Sequence, residues 1–359
     1  MKKLLCLLFS LCLLLCGCFF SSDSQETETT GAATETPTET QRTQLEQRQE
    51  TVIRILLPDE EALDWKTAGE DLQEQLELRF YKTELLYAGG SAVKQAQQLE
   101  SAVAAEVDVL IVAPVESAAL TVACAKVREA GIPIISYDRL LMDTDAVTCC
   151  ISFDYQEMGR VLAREIVARE GLDTLAEGES RTIEFFMGSP EDNNTLLLHL
   201  GIMEVLEPYL HSGALATPTG RIALEDVCIV NWDATKVTRN LSDYRKEYYS
   251  GGIPDILCTV SDAFAAACIT QLGNIPREDY PTITGIGGAK DARRQLEDGT
   301  LAVTISTDRI QLNDRVIQTV VSLLSGTEPE YNAPDACHNN AISVPAYLCD
   351  FALLTKSAE

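Results

Sequence analysis

Positive charge is scarce in this 359-residue chain: 28 lysines and arginines stand against 55 aspartates and glutamates, a formal net charge of −27. A surface that acidic repels phosphate backbones, which excludes nucleic acid as a partner. Histidine is nearly absent, three in all (His199, His211, His338), and none stands at ligand spacing with cysteines, so no zinc site is read. Tryptophan contributes two residues, Trp65 and Trp232. The G-x-S-x-G, H-E-x-x-H and P-loop patterns are missing, and neither an enzyme nor a cofactor is expected. No apolar run reaches the roughly 18 residues needed to span a bilayer.

The longest apolar run, Leu4 to Leu15, follows Lys2-Lys3 and has the length of a secretory h-region. It ends in Leu15-Cys16-Gly17-Cys18, which resembles the lipobox of bacterial lipoproteins. That resemblance implies removal of residues 1–17, lipidation of the Cys18 thiol, and anchoring to the outer face of the cell membrane without a spanning helix. Residues 18–50 are rich in Thr, Glu and Ser and poor in large apolar side chains, so they read as a disordered tether. Of twelve cysteines, eight then remain in the folded body. Most are read as small buried hydrophobes, and Cys337 with Cys349, which flank an expected strand pair, form the one candidate bridge.

The body is organised around Pro133 to Gly159. An apolar run ends in Tyr137-Asp138-Arg139, placing a carboxylate and a guanidinium at the carboxyl end of a buried parallel strand, where open α/β sheets bind ligands. A second run, Val147 to Phe153, follows, and Asp154 caps a helix starting near Tyr155. This order marks a first crossing between two lobes. Around it, β-branched runs alternate with helical patterns, the signal of βαβ architecture. Strands are expected at Val52–Pro58, Glu84–Tyr87, Val107–Ala113, Ile132–Tyr137 and Val147–Phe153, then at Thr182–Met187, Val227–Asn231, Ile256–Val260, Thr282–Ile286 and Val303–Ser306. The fold class is α/β, with two doubly wound parallel-sheet lobes joined by a multi-strand hinge. Residues 51–152 with 308–342 are assigned to the first lobe, and 153–307 with 343–359 to the second.

Tyr137-Asp138-Arg139, Ser152-Phe153-Asp154 and Gly188-Ser189-Pro190-Glu191-Asp192-Asn193-Asn194 resemble the type I periplasmic sugar-binding proteins. Gly201, Val205-Leu206, Pro208-Tyr209, Trp232, Ser261-Asp262, Thr284-Gly285 and the stretch from Leu323 to Glu330 extend the likeness over residues 52 to 355. It is strongest to the xylose-binding and multiple-sugar-binding group serving ABC importers. The resemblance implies closure around a monosaccharide, with the sugar sandwiched between Trp65 and Trp232, since aromatic plates cover its C–H faces while polar groups grip its hydroxyl rim. Asp138, Arg139, Asn194, Ser261, Asp262 and Thr307 fall at the remaining ligand-binding positions. Partners are then the sugar and either an ABC permease or, with the same pocket, a membrane histidine kinase or chemoreceptor; a monomer is expected.

Three departures bear on the ligand. Asp64 precedes Trp65 where the family carries Arg. Ile286-Gly287 follow Thr284-Gly285 where it carries Gln-Asp. Ile305-Ser306-Thr307 replace its Val-Tyr-Lys. Two cationic donors and one acidic acceptor are thus exchanged, pointing to a different sugar, an amino sugar or another cationic polyol, or to a drift toward sensing. A lipid-anchored glycan enzyme would need a close carboxylate pair, for which Asp138 with Asp64 is the candidate. Gly285-x-Gly287-Gly288 lacks the full dinucleotide fingerprint.

Overall fold

The computed structural model describes residues 39–60 and 63–356, so the expected signal segment, the lipobox with Cys18 and most of the tether lie outside the described residues. Contacts divide the chain into Met1–Thr43 and Gln44–Glu359, and both lobes belong to the second unit. The end of the expected tether is not without structure. Helix α1, Glu39–Glu50, is built from Glu, Gln and Arg, all strong helix formers, and its Arg48 guanidinium sits 5.7 Å above the Tyr81 ring.

The first lobe begins β1 (Val52–Leu57), α2 (Leu63–Glu77), β2 (Lys82–Tyr87), α3 (Ala92–Ala104), β3 (Val109–Val112), α4 (Thr121–Glu129), β4 (Ile134–Tyr137) and β5 (Val147–Phe153). The second lobe runs α5 (Tyr155–Glu170), β6 (Arg181–Phe186), α6 (Asn193–Ser212), β7 (Leu215–Ala216), α7 (Leu224–Val227), α8 (Ala234–Glu247), β8 (Ile256–Thr259), α9 (Asp262–Leu272), β9 (Thr282–Gly287), α10 (Lys290–Asp298) and β10 (Val303–Thr307). The chain then returns through α11 (Arg309–Ser325), β11 (Ala333–His338) and β12 (Ser343–Cys349), and ends in β13 (Phe351–Thr355).

Seven strands form the first sheet in the order β11-β12-β5-β4-β3-β1-β2, and six form the second in the order β13-β10-β9-β8-β6-β7. Both sheets are parallel except at one edge, where β11 runs antiparallel to β12 and β13 to β10. Strands β3, β4 and β8 are buried at every position, as expected where helices cover both faces of a parallel sheet. One apolar cluster runs from Ile53, Leu57 and Leu72 through Phe153 and Met158 into Ile183, Ile256 and Val303. The core is therefore continuous through the hinge.

The chain passes between the sheets three times, at β5 to α5, β10 to α11 and β12 to β13. Two expectations are corrected here. Residues 343–349 were assigned to the second lobe, but β12 pairs parallel with β5, Ala346 opposite Cys150 and Cys349 opposite Phe153. Its buried Val344, Ala346 and Cys349 complete the first sheet, and only β13 joins the second. The strand expected at Val227–Asn231 is a loop with a single 3-10 turn at Val230–Trp232, joined to the sheet by one bridge between Met187 and Cys228. Asn231 and Trp232 hold φ of 61° and 53°, a left-handed backbone no strand accommodates.

The expected bridge is also absent. Cys337 and Cys349 are both free thiols, because Cys337 lies opposite Val344, toward the far end of β12. Its thiol is instead hydrogen-bonded to Cys150, which pulls Cys337 down and pushes Cys150 up.

Candidate ligand site between the lobes

Tyr137 is fully buried because its phenol has a partner: it donates to Asn313 Oδ1 at 2.7 Å, and Asn313 Nδ2 donates in turn to the Ala68 carbonyl at 3.0 Å and Asp71 Oδ2 at 2.7 Å. This ties β4 to α11 and α2. The Tyr137 ring meets the Trp65 indole edge-on, centroids 6.0 Å apart, and fixes Trp65 on the first turn of α2. One residue later the backbone turns left-handed, with φ of 64° at Asp138, a conformation non-glycine residues adopt at a cost and mainly where surroundings enforce it. Here the Asp138 N–H donates to Ile151 O at 2.8 Å, while its carbonyl accepts from Ser152 Oγ at 2.5 Å and Asn194 Nδ2 at 3.2 Å.

That turn aims the Asp138 carboxylate at the crossing. It is 3% exposed, and it accepts from Tyr155 Oη at 2.6 Å and from Arg309 Nη1 at 2.7 Å. Burial first, and then the Asp138 charge, hold the Tyr155 phenol well above its ordinary range. Burial pulls the Arg309 guanidinium down, but the Asp138 carboxylate outweighs it and leaves the group firmly protonated.

Arg139 reaches the other way. Its Nε pairs with Asp192 Oδ2 at 2.8 Å, and its Nη1 donates to Pro114 O at 3.3 Å. Asp192 belongs to the second lobe, where its other oxygen caps α6 by accepting from Asn194 N at 3.0 Å. Burial raises the Asp192 carboxyl, and Arg139 acts against that rise. Both guanidiniums also overlie Trp65, Arg139 at 5.2 Å and Arg309 at 5.4 Å from the ring centroid, within cation–π range.

Trp232 completes the group from the second lobe. Its ring lies 5.7 Å from Phe264 and rests on Gly188, where any Cβ would stand 2.2 Å from the indole Cη2. The indole lies beside the Asp192 carboxylate and helps hold its charge, yet Nε1 is buried without a completed hydrogen bond. The lobes also touch directly at the rim. Ser117 N donates to Glu191 O at 2.9 Å, and Asn193 N donates to Ser117 Oγ at 3.3 Å.

Of the residues singled out from sequence, Trp65, Asp138, Arg139, Asn194 and Trp232 are thus joined through one chain of contacts. Ser261 and Asp262 stand outside that chain of contacts. Ser261 Oγ caps α9 by accepting from Ala263 N at 3.1 Å. Both Asp262 oxygens are committed to their own lobe, to Thr304 Oγ1 at 2.6 Å and Ala289 N at 2.9 Å, in space left open by Gly285 and Gly287. Burial raises its carboxyl, and the Asp64 charge adds to the rise, so Asp64 stands where its field reaches the second lobe. Thr307 closes β10, half-buried and paired through its backbone with Phe351.

Sequence reasoning missed Arg309, Tyr155 and the pairing role of Asp192. The sequence offers Tyr155 only as a helix start and Asp192 only as part of the motif from Gly188 to Asn194. Arg309 follows the cap Asp308 and carries no motif of its own. No three of the described His, Cys, Asp and Glu residues form a metal-binding group, and among the described residues no helix is long and apolar enough to cross a membrane.

A model of the periplasmic binding protein domain matches residues 56–328. The multiple sugar-binding periplasmic protein SbpA of Azospirillum brasilense is 27% identical over 301 residues, 82% of this chain and 83% of that protein. The multiple sugar-binding periplasmic receptor ChvE of Rhizobium radiobacter is 28% identical over 301 residues, covering 82% and 84%. Among solved structures, an ABC transporter solute-binding protein from Clostridium phytofermentans with bound β-D-glucose superimposes with a TM-score of 0.80 at 26% identity, covering 85% of this chain and 94% of the other.

Proposed function

The chain belongs to the periplasmic binding protein domain family, and from that premise we propose that it is an extracytoplasmic receptor, lipid-anchored through Cys18, that captures one uncharged monosaccharide between its lobes and delivers it to an ABC importer. The observation that carries the reading is the convergence of Trp65, Asp138 and Arg139 from one lobe with Asp192, Asn194 and Trp232 from the other. Two indole surfaces and a fringe of charged hydrogen-bonding groups match a pyranose with apolar faces and a hydroxyl rim. The sugar-binding names of the relatives, and the glucose held by the similar structure, support the same class.

The charge balance favours a neutral ligand over the amino sugar suggested by Asp64, Gly287 and Thr307. Arg139 is matched by Asp192, and Arg309 by Asp138. A charged ligand would add an uncompensated charge beside two buried pairs that already cancel, at a cost on the order of several kcal/mol.

Titration calorimetry and tryptophan emission against D-glucose, D-xylose, D-galactose, D-glucosamine, D-glucuronate and myo-inositol test the reading. A neutral aldose is expected to bind at micromolar concentration or tighter, with a smaller radius of gyration in solution scattering. Absence of binding by any sugar at millimolar concentration would overturn it, and preference for glucosamine would overturn the neutral-ligand part.

A further inference from the structure

We propose that Arg309 is a ligand-contacting, specificity-determining residue of this cleft, supplying from the start of α11 the cation that the sequence leaves blank at Thr307. The assignment rests on the monosaccharide reading above and goes beyond it, because no motif marks Arg309.

Location is the first argument. Strand β10 ends at Thr307 and α11 begins at Arg309, so the crossing between them is Asp308 alone. Asp308 is spent as a cap, accepting from Ile310 N at 2.9 Å and Gln311 N at 3.2 Å. The cap fixes the first turn of α11, and the Arg309 guanidinium comes to rest above Trp65 at 5.4 Å, with Nη1 2.7 Å from Asp138 Oδ2. The first position of α11 thus delivers a guanidinium to Asp138 and Trp65 two residues beyond the end of β10.

The second argument is unspent hydrogen-bonding capacity. A guanidinium has five N–H donors and cannot deprotonate. Arg309 donates to Asp138 from Nη1, which leaves donors to be met. Arg139 is more enclosed: its side chain is 13% exposed against 32% for Arg309, and its bonds go to Asp192 and Pro114. Of the two guanidiniums bordering Trp65, Arg309 is the one open to a ligand. Each Asp138 oxygen has one donor, from Tyr155 or Arg309, and retains a lone pair. Asp138 and Arg309 together therefore present an acceptor and a donor side by side, matched to two hydroxyls on adjacent ring carbons.

A planar fork pinned at one end is less adaptable than the point charge of a lysine. Replacing one by the other should therefore change which sugar is preferred as well as how tightly it binds. The test compares the wild type with Arg309→Lys, Arg309→Gln and the double variant Thr307→Lys/Arg309→Gln, which returns the cation to the strand end. Calorimetry uses D-glucose, D-xylose, D-galactose and the monodeoxy-D-glucoses, and each variant is melted without ligand. Arg309→Gln is expected to weaken the preferred sugar at least tenfold. Arg309→Lys is expected to keep the melting temperature within a few degrees and to reorder the panel, and the double variant to regain binding with a third order. One monodeoxy sugar should lose affinity for the wild type and lose little more for Arg309→Gln.

A residue with only a structural role would lower the melting temperature and scale all affinities together. If the wild type binds a sugar and every Arg309 variant keeps the same order, with affinities within threefold or scaled uniformly, this assignment is overturned and the sugar reading stands. A wild type that binds no sugar overturns the sugar reading, and Arg309 falls with it.

Discussion

Replacing Gly188 by alanine tests the seat of Trp232. The added Cβ would stand 2.2 Å from Trp232 Cη2, 2.3 Å from Cζ2 and 2.4 Å from Thr195 Oγ1. Carbon pairs settle at about 3.5 Å or more, so the indole must retreat by roughly 1.3 Å. Retreat is opposed by Phe264, whose ring centroid is 5.7 Å away, and by a backbone already left-handed at Asn231 and Trp232. Overpacking of this kind costs about 1–3 kcal/mol. At about 2–4 °C per kcal/mol for a unit of this size, the second-lobe melting transition should fall by about 2–12 °C. Losing one aromatic contact with the ligand, worth about 0.5–1.5 kcal/mol, should weaken sugar binding by about two- to tenfold. Calorimetric melting, indole emission and titration with the best sugar read all three effects. Trp232→Ala removes two of these three close atoms and leaves Thr195 Oγ1, so the Gly188→Ala cost should shrink in that background without vanishing. An unchanged melting temperature and emission, or a cost undiminished without the indole, would refute the reasoning.

Asn313→Leu should lower stability by about 1–3 kcal/mol in urea unfolding, because it removes the acceptor of the buried Tyr137 hydroxyl and a donor to Asp71; a loss under about 0.5 kcal/mol counts against that network. Glu184 is 1% exposed and accepts from Thr219 and Tyr249, both at 2.7 Å, and burial raises its carboxyl. A raised folded value means its contribution is fully present below the unfolded value of about 4.3 and is lost as pH climbs through the folded one. Glu184→Gln should therefore match the wild type at pH 4, melt at least as high at pH 7, and flatten the profile between them; a lower melting temperature at pH 7 alone would reverse the sign of the argument. Cys337 is half-buried and lowered by the Cys150 thiol, whereas burial pushes Cys124, Cys149 and Cys258 up to about 12. Limiting iodoacetamide near pH 7.5 should label Cys337 first by peptide mapping, and labelling led by another of the eight described thiols would contradict it. Ser117→Ala keeps the Glu191 bond but removes the acceptor for Asn193 N, so the ligand-free protein should lose about 0.5–1.5 kcal/mol and melt a few degrees lower, and an unchanged melting temperature would count against that contact.

The limits of legibility follow from how each feature is encoded. Continuous apolar runs such as Val109–Val112 and Ile134–Tyr137 can be read directly, because a parallel strand buried on both faces has no other composition to choose. The lobe membership of β12 cannot be read that way: Val344, Ala346 and Cys349 suit either sheet, and only their pairing with β5 decides. The apolar run through Val230 read as a strand because two left-handed residues, Asn231 and Trp232, carry no glycine to announce them. Asp138, Arg139 and Asn194 could be placed at strand or helix ends because each stands inside a motif, and the structure joins them to Trp232 through one chain of contacts. Ser261 and Asp262 stand inside a motif too, yet their side chains are consumed by α9, Thr304 and Ala289. Motif membership locates a residue near the cleft, and local hydrogen bonding decides whether it faces it.

Thr307 and Arg309 carry that distinction furthest. Matched position by position, the chain has lost a cation at the end of β10, and a negatively biased pocket follows from the loss. Matched in space, the loss is offset: with one residue between strand and helix, the next side chain along supplies a guanidinium at Asp138 and Trp65. Electrostatics depends on where charge sits and not on which residue number carries it, and a one-residue crossing is short enough for the two to part. The cancelling pairs at the crossing, and with them the uncharged sugar proposed above, therefore rest on the first turn of α11. If Arg309→Gln were found to bind glucosamine in preference to glucose while the wild type does the reverse, charge balance through that turn would be shown to select the ligand; if both favoured the same sugar, charge would be irrelevant to the choice.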